Sequence, residues 1–245
     1  SMETRSVQVI LPVGISFYTF QTLSYAADIY RRQLRPTRDL MAFAAFVSFF
    51  PQLVAGPIER ASALLPQVLK RRRFDFNEAA SGMRLMLWGL FKKVAIADTA
   101  GLFVDEVFGP SGTTTGGAFI LAALLFSVQI YGDFSGYSDM AIGIGRLFGI
   151  RLSTNFRSPF LSRSMREFWS RWHISLSQWF TTYLYLPLGG SRAGAWKTRG
   201  NMFLVFAVSG LWHGASWNFV LWGVVNGLLV LTQWRAKPPS AAGRW

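Results

Sequence analysis

Two histidines, His173 and His213, are the only imidazoles in the 245-residue chain. Each follows a tryptophan, in WSRWHISLS and SGLWHGASW. His213 lies within Asn201–Trp234, a stretch of 34 residues without Asp, Glu, Lys or Arg. An ionisable group in so apolar a segment is costly to bury and marks a functional position. A neutral imidazole accepts a proton near neutral pH, so the expected chemistry is general-base activation of a hydroxyl. That hydroxyl would attack the carbonyl of an acyl thioester, whose thiolate leaves without a metal's help. His173 stands close to Arg171 in sequence and reads either as an interfacial residue or as a second member of the site.

Other chemistries fit less well. The chain has no cysteine, which removes thiolate nucleophiles, protein thioesters and disulfides. Zinc needs three or four ligands. Two histidines 40 residues apart would have to recruit Asp133 or Asp139, and no metal is expected. Ser175, Ser177 and Ser216 lie near the histidines in sequence, but there is no G-x-S-x-G nucleophile elbow. The bland alternative for either histidine is a hydrogen-bonded ring in a helix-packing seam. Trp212 is a candidate wall of an acyl pocket. Arg171 is a candidate for donor phosphates, although Arg163, Arg166 and Arg171 equally suit lipid headgroups. Asn218, whose simplest role is interhelical hydrogen bonding, completes the candidate substrate-binding set. Asp133 and Asp139 read as ion-pair or hydrogen-bond partners that hold the fold.

The elements that must position these residues are membrane-like. Charged residues make up 15% of the chain, against about 25% in a typical soluble domain. Uncharged runs recur at Ser6–Ala27, Leu40–Ile58, Val107–Gly132, Trp172–Ser191 and Asn201–Trp234. A bilayer-crossing helix needs about 20 apolar residues, so the composition implies an all-α, multipass integral membrane protein with some shallow or broken helices. The net charge of +13 gathers between the apolar runs, at Arg31–Arg38, Lys70–Arg73, Arg192–Arg199 and Arg235–Arg244. That is the pattern of positive cytoplasmic loops rather than of a nucleic-acid surface.

Along the chain, helix 7–30 is expected to be interrupted at Pro12 and Gly14, and helix 40–58 to stop at Pro51 and Gly56-Pro57. Residues 78–108 read as a charged helix, and 109–117 as a turn-rich loop. Residues 118–150 read as two apolar stretches around YGDFSGYSD. After a basic connector at 151–166, a Trp-rich helix is expected over 167–188. The last apolar run, as one helix, would extend ~51 Å against a hydrocarbon core of ~30 Å. It is expected to break at Ser209-Gly210, dip into the membrane and return, leaving His213 deep near the turn. Gly223 and Gly227 have the small-xxx-small spacing of a close helix contact. Residues 1–236 read as one transmembrane region and 237–245 as a disordered tail or join. The Ser1-Met2 start reads as a cropped chain lacking N-terminal spans.

FFPQLVAGPIER, QIYGDFSGYSDMAIGIGRLFGI, NFRSPF…SMREFWSRWHISLSQWF, YLYLPLGG and SGLWHGASWNFVLWG together resemble the membrane-bound O-acyltransferase (MBOAT) family, within it the bacterial alginate O-acetylase type. The likeness runs from about Gly14 to Leu231. It implies a ring of tilted and broken helices around a central tunnel in the bacterial inner membrane. It further implies an acyl thioester donor, acetyl-CoA, approaching from the cytoplasm, and extracytoplasmic polysaccharide-modifying partner proteins. His213 takes the place of the family's catalytic histidine and His173 that of the second motif position. The implied activity is O-acetyl transfer to an extracellular polysaccharide, with no bound cofactor. The alternatives are D-alanyl or other acyl transfer from a carrier protein, and a non-enzymatic transporter or scaffold.

Overall fold

A computed structural model describes residues 14–109, 115–192 and 194–233. The expected interruption at Pro12, the middle of the 109–117 loop and the 237–245 tail lie outside the described residues. Among those residues every regular element is helical. The chain divides into two compact units, Ser1–Thr154 and Asn155–Trp245.

In the first unit, α1 (Ile15–Tyr30) is followed by α2 (Leu40–Val47), which Asp39 caps by accepting from the Ala42 N–H. α2 ends before the expected stop at Pro51. Proline restricts the residue ahead of it and offers no N–H to continue the helix. The chain turns through a short 3₁₀ segment at Phe50–Gln52, and the buried Gln52 amide donates to the Phe46 carbonyl. α3 (Ala61–Leu69) then leads to α4 (Phe76–Phe91), which passes through a π-helical stretch at Lys92–Asp98 into α5 (Thr99–Phe108). The charged helix expected over 78–108 therefore runs without a gap, widened once in its middle.

α6 (Gly116–Leu147) is one uninterrupted helix of 32 residues, about 48 Å long. The YGDFSGYSD segment, expected to separate two apolar stretches, sits inside it. That segment stays helical because α4 packs closely along it. Gly82 and Gly89 of α4 meet Gly143 and Gly136 of α6 in antiparallel register. A Cβ on Gly89 would lie 2.5 Å from the Gly136 carbonyl oxygen, and one on Gly82 would lie 2.6 Å from that of Gly143. Two glycine pairs seven residues apart thus let the backbones touch, as small residues do between membrane helices. Beyond the last pair, the Lys92 ammonium meets Asp139 at 2.6 Å and Ser135 Oγ at 3.0 Å, and Lys93 meets Asp133 at 2.7 Å. Asp133 and Asp139 are therefore ion-pair partners, as their sequence context suggested. A cluster of Phe46, Ala61, Leu64, Ala141, Ile142 and Ile150 forms the apolar core beside this seam.

In the second unit, a 3₁₀ turn at Pro159–Leu161 precedes α7 (Met165–Arg171), α8 (Ile174–Phe180) and a π-helical turn at Thr181–Tyr185. α9 (Ala195–His213) and α10 (Trp217–Thr232) form an antiparallel hairpin. The break comes at Gly214–Ser216 rather than at Ser209-Gly210. Gly210 remains helical because α10 crosses against it: a Cβ there would strike the Phe219 carbonyl and come within 3.1 Å of Gly223 Cα. Gly223 and Gly227 both lie in this contact, as their spacing implied. Ser216 then opens α10 by accepting from the Asn218 N–H. α9 extends about 28 Å, so His213 lies at the hairpin tip, nearly one hydrocarbon thickness from Ala195.

Among the described residues one helix, α6, is long and apolar enough to cross a membrane; α10 and the 40–52 segment are apolar but shorter. Large apolar side chains are exposed on α4, α6 and α10, among them Leu87, Leu124 and Leu221. Water does not favour so much exposed apolar surface, and lipid does.

The glycine seam is directly testable. Gly89→Leu forces apart two backbones in contact, and overpacking of this kind costs about 1–3 kcal/mol. Gly117→Ala, on α6 where a Cβ meets nothing within 4 Å, leaves stability unchanged or slightly raised. Thermal unfolding of the purified protein in detergent compares the two.

Candidate active site

The Trp-rich segment expected as a single helix over 167–188 is broken, and the break presents His173. α7 ends at Arg171, Trp172 is extended, and His173 adopts a left-handed backbone conformation (φ 43°, ψ 55°) before α8 begins. That conformation is rare for a residue with a side chain. It is held by the connector chain. The Arg157 N–H donates to the Arg171 carbonyl at the end of α7, and the Ile174 N–H donates to the Asn155 carbonyl at the start of α8. Asn155 Oδ1 also accepts from the Ser175 N–H (3.3 Å) and the Ser175 hydroxyl (2.9 Å), and lies 3.1 Å from His173 Nδ1. One buried side chain therefore satisfies the start of α8 and sets the ring.

The hydrogen-bond inventory fixes the proton on that ring. An amide oxygen only accepts, so His173 carries its hydrogen on Nδ1, and Nε2 is left with the lone pair. His173 is 3% exposed, and the Phe156 ring stacks on it with centroids 6.5 Å apart.

α7 is a short, well-capped platform. Ser164 Oγ accepts from the Glu167 N–H, and the Glu167 carboxylate accepts in turn from the Arg163 N–H at 2.9 Å. This is close to a capping box. Glu167 also pairs with Arg171 at 2.6 Å. The Arg163 N–H first, and the Arg171 charge after it, hold the Glu167 carboxyl below the usual carboxylate range against the opposing effect of burial.

His213 comes from the other side, as the last residue of α9. Its ring sits between Trp212 (4.8 Å between centroids), Trp222 (4.9 Å, edge-on) and Phe219 (6.2 Å, stacked). Trp222 leans in turn on Trp169 of α7, and Trp169 on Phe206 of α9. Both imidazoles line one cavity of about 450 Å³, whose walls include Trp169, Phe206, Ser209 and Val230. A space of this size holds a small acyl group with part of its carrier.

The other sequence-selected residues are placed differently. Trp212 packs on the His213 ring but does not line the cavity. Arg171 also lies off the cavity wall, in its pair with Glu167. Asn218 is exposed in the first turn of α10. Asn155 was not apparent from sequence: a single asparagine in a basic connector carries no local signal of a partner 18 residues away. Trp169 and Trp222 stand among many tryptophans whose simplest reading is packing. Among the described residues, no three His, Asp or Glu side chains gather as metal ligands would.

Residues 31–237 match the sequence profile of MBOAT, the membrane-bound O-acyltransferase family, and the chain belongs to that family. Among individual proteins, it is 47% identical over 220 residues to the Pseudomonas putida protein named Probable alginate O-acetylase AlgI, covering 90% of this chain and 45% of that one. It is 39% identical over 250 residues to the Helicobacter pylori Peptidoglycan O-acetyltransferase, covering 91% and 47%. It is 29% identical over 240 residues to the Streptococcus thermophilus Teichoic acid D-alanyltransferase, covering 92% and 58%. The chain spans about half the length of the curated relatives it matches.

Because the chain has two histidines, ¹⁵N NMR reads each ring separately. His173 is expected in the Nδ1–H tautomer. Asn155→Leu, which leaves the Ser175 hydroxyl and two N–H groups without their acceptor, removes that preference and costs about 1–3 kcal/mol of stability.

Proposed function

We propose that this chain carries the acyl-transfer site of a multipass O-acyltransferase of the bacterial inner membrane, which moves acetyl from acetyl-CoA toward hydroxyls of an extracellular polysaccharide. The observation that carries this reading is the meeting of His173 and His213 on one cavity, in a chain whose family is defined by O-acyl transfer. His213 is the general base. Its ring is open to the cavity and fixed by aromatic contacts rather than by a carboxylate, so its lone pair is available to an incoming hydroxyl.

The reaction balances on these groups. His213 takes the proton as the acceptor oxygen attacks the thioester carbonyl. The tetrahedral adduct collapses, the carbon–sulfur bond breaks, and the departing thiolate takes the proton back from the imidazolium. The products are an acetyl ester and the free thiol. His173 orients the acceptor, its Nε2 lone pair taking a hydrogen bond from the incoming hydroxyl. Trp212 holds the His213 ring in position, while Arg171 and Asn218, which do not line the cavity, serve substrate outside it. The donor enters from the cytoplasmic side of a ring of broken helices around a tunnel, and extracytoplasmic partners receive the acetyl group.

The relatives favour acetyl over D-alanyl: those named for O-acetyl transfer are 39–47% identical, and those named for D-alanyl transfer are 27–29% identical. A transporter or scaffold with two packing histidines leaves an acyl-sized cavity at both rings without a purpose.

In the full-length protein, His213→Ala is expected to fold, reach the membrane and lose acetyl transfer about a hundredfold or more. Radiolabelled acetyl-CoA, followed into the polysaccharide, measures it. Full polysaccharide acetylation by the variant would remove His213 from the role of base. Label carried by a D-alanyl donor instead of acetyl-CoA would replace the acetyl assignment.

A further inference from the structure

A second cavity, of about 370 Å³, lies wholly within the first unit, between the α3–α4 loop and the end of α6. Its charged lining consists of Arg72, Arg73, Asp75, Glu78, Arg146 and Arg151. Most of these groups are already engaged. Glu78 pairs with Arg151 at 2.9 Å, and the two cancel. Asp75 Oδ1 accepts the Asn77 and Glu78 N–H groups as the cap of α4. The Arg146 guanidinium donates to the Ser81 hydroxyl. The remaining two, Arg72 and Arg73, have no hydrogen bond or ion pair among the described residues. With four arginines against two carboxylates, the cavity keeps an excess positive charge and two idle guanidinium forks.

Guanidinium forks match the spacing of phosphate oxygens and bind them in pairs of parallel hydrogen bonds. The cavity's surroundings indicate what carries the phosphate. Phe74 and Phe76 are 77% and 76% exposed, and Phe148, which lines the cavity, is 49% exposed. Apolar rings around a basic cavity suit a ligand with a charged head and an apolar body. The Lys70–Arg73 run is of the kind that sits against the anionic cytoplasmic leaflet. A hydrated free anion would use the arginines and leave the three aromatic rings exposed to water.

We propose that this cavity is a site for the phosphate of an anionic phospholipid, held by Arg72 and Arg73 with the acyl chains along Phe74, Phe76 and Phe148. Its lining shares no residue with that of the histidine cavity, and it does not depend on which acyl group that cavity transfers. The neighbouring residues supply a matched control. Lys70 and Arg71 belong to the same basic run, carry the same charge and do not line the cavity.

The test uses full-length protein and measures retention of phosphatidylglycerol through purification, against protein reconstituted in phosphatidylcholine alone. The R72Q/R73Q protein is expected to retain at least tenfold less phosphatidylglycerol than wild type, while K70Q/R71Q retains it at the wild-type level. Equal loss in both double variants would overturn the site in favour of diffuse attraction to the surface. Inorganic phosphate or free coenzyme A displacing the lipid at millimolar concentration would overturn the lipid assignment and leave a soluble-phosphate site. Wild-type protein is also labelled with a phosphatidylglycerol bearing a photoreactive group near its head. Label on residues 72–76 or 146–151 supports the site without any variant having to fold, and label confined to other segments contradicts it.

Discussion

The side-chain oxygen of Asn155 is the point on which the histidine site depends. It accepts from the N–H and hydroxyl of Ser175 and faces Nδ1 of His173. The first two bonds allow α8 to start where it does. The third selects which nitrogen of the ring holds the proton. Without this acceptor, the left-handed backbone at His173 keeps only the two backbone bonds from the connector to offset its cost. The Trp-rich segment would then tend to close into one continuous helix, and the residue 173 ring would turn with it.

The partner imidazole is fixed by different means. His213 sits at the tip of a hairpin whose two helices touch through Gly210 and Gly223, and its ring is held by Trp212, Phe219 and Trp222. Backbone contact sets the depth and register of the helix end, and aromatic packing sets the ring plane. One histidine is thus buried and hydrogen-bonded, the other open and stacked. A group that positions a hydroxyl through a fixed lone pair benefits from the first environment, a proton acceptor that must meet a mobile hydroxyl from the second. Glycine contact recurs in the first unit, where Gly82, Gly89, Gly136 and Gly143 bring α4 and α6 together and two lysine–aspartate pairs close the seam.

Much of this was legible in the sequence because it depends on composition and short-range spacing. The apolar run around His213, the small-xxx-small pair at Gly223 and Gly227, and the pairing of Asp133 and Asp139 with cations all follow from residue type and local context. What could not be read depends on contacts between distant segments. The α9 break was expected at Gly210 because glycine weakens an isolated helix. Gly210 is instead kept helical by α10, and the chain bends four residues later. The 167–188 helix was expected whole because nothing within it announces a break; the connector at 155–157 imposes one. The YGDFSGYSD segment looked like an interruption of α6, yet its Gly136 is what lets α4 approach. At Gly210 and Gly136 a residue that is unfavourable in a helix by itself is the one that permits packing.

The central claim is that the two imidazoles face one space that admits a thioester. The most direct measurement is electron cryo-microscopy of the full-length protein with a thioether analogue of acetyl-CoA, which binds but does not transfer. The account predicts density for the analogue's carbonyl between the His173 and His213 rings, with Asn155 still on Nδ1 of His173. Density for the analogue elsewhere, with the cavity between the two rings closed by side chains, would contradict it.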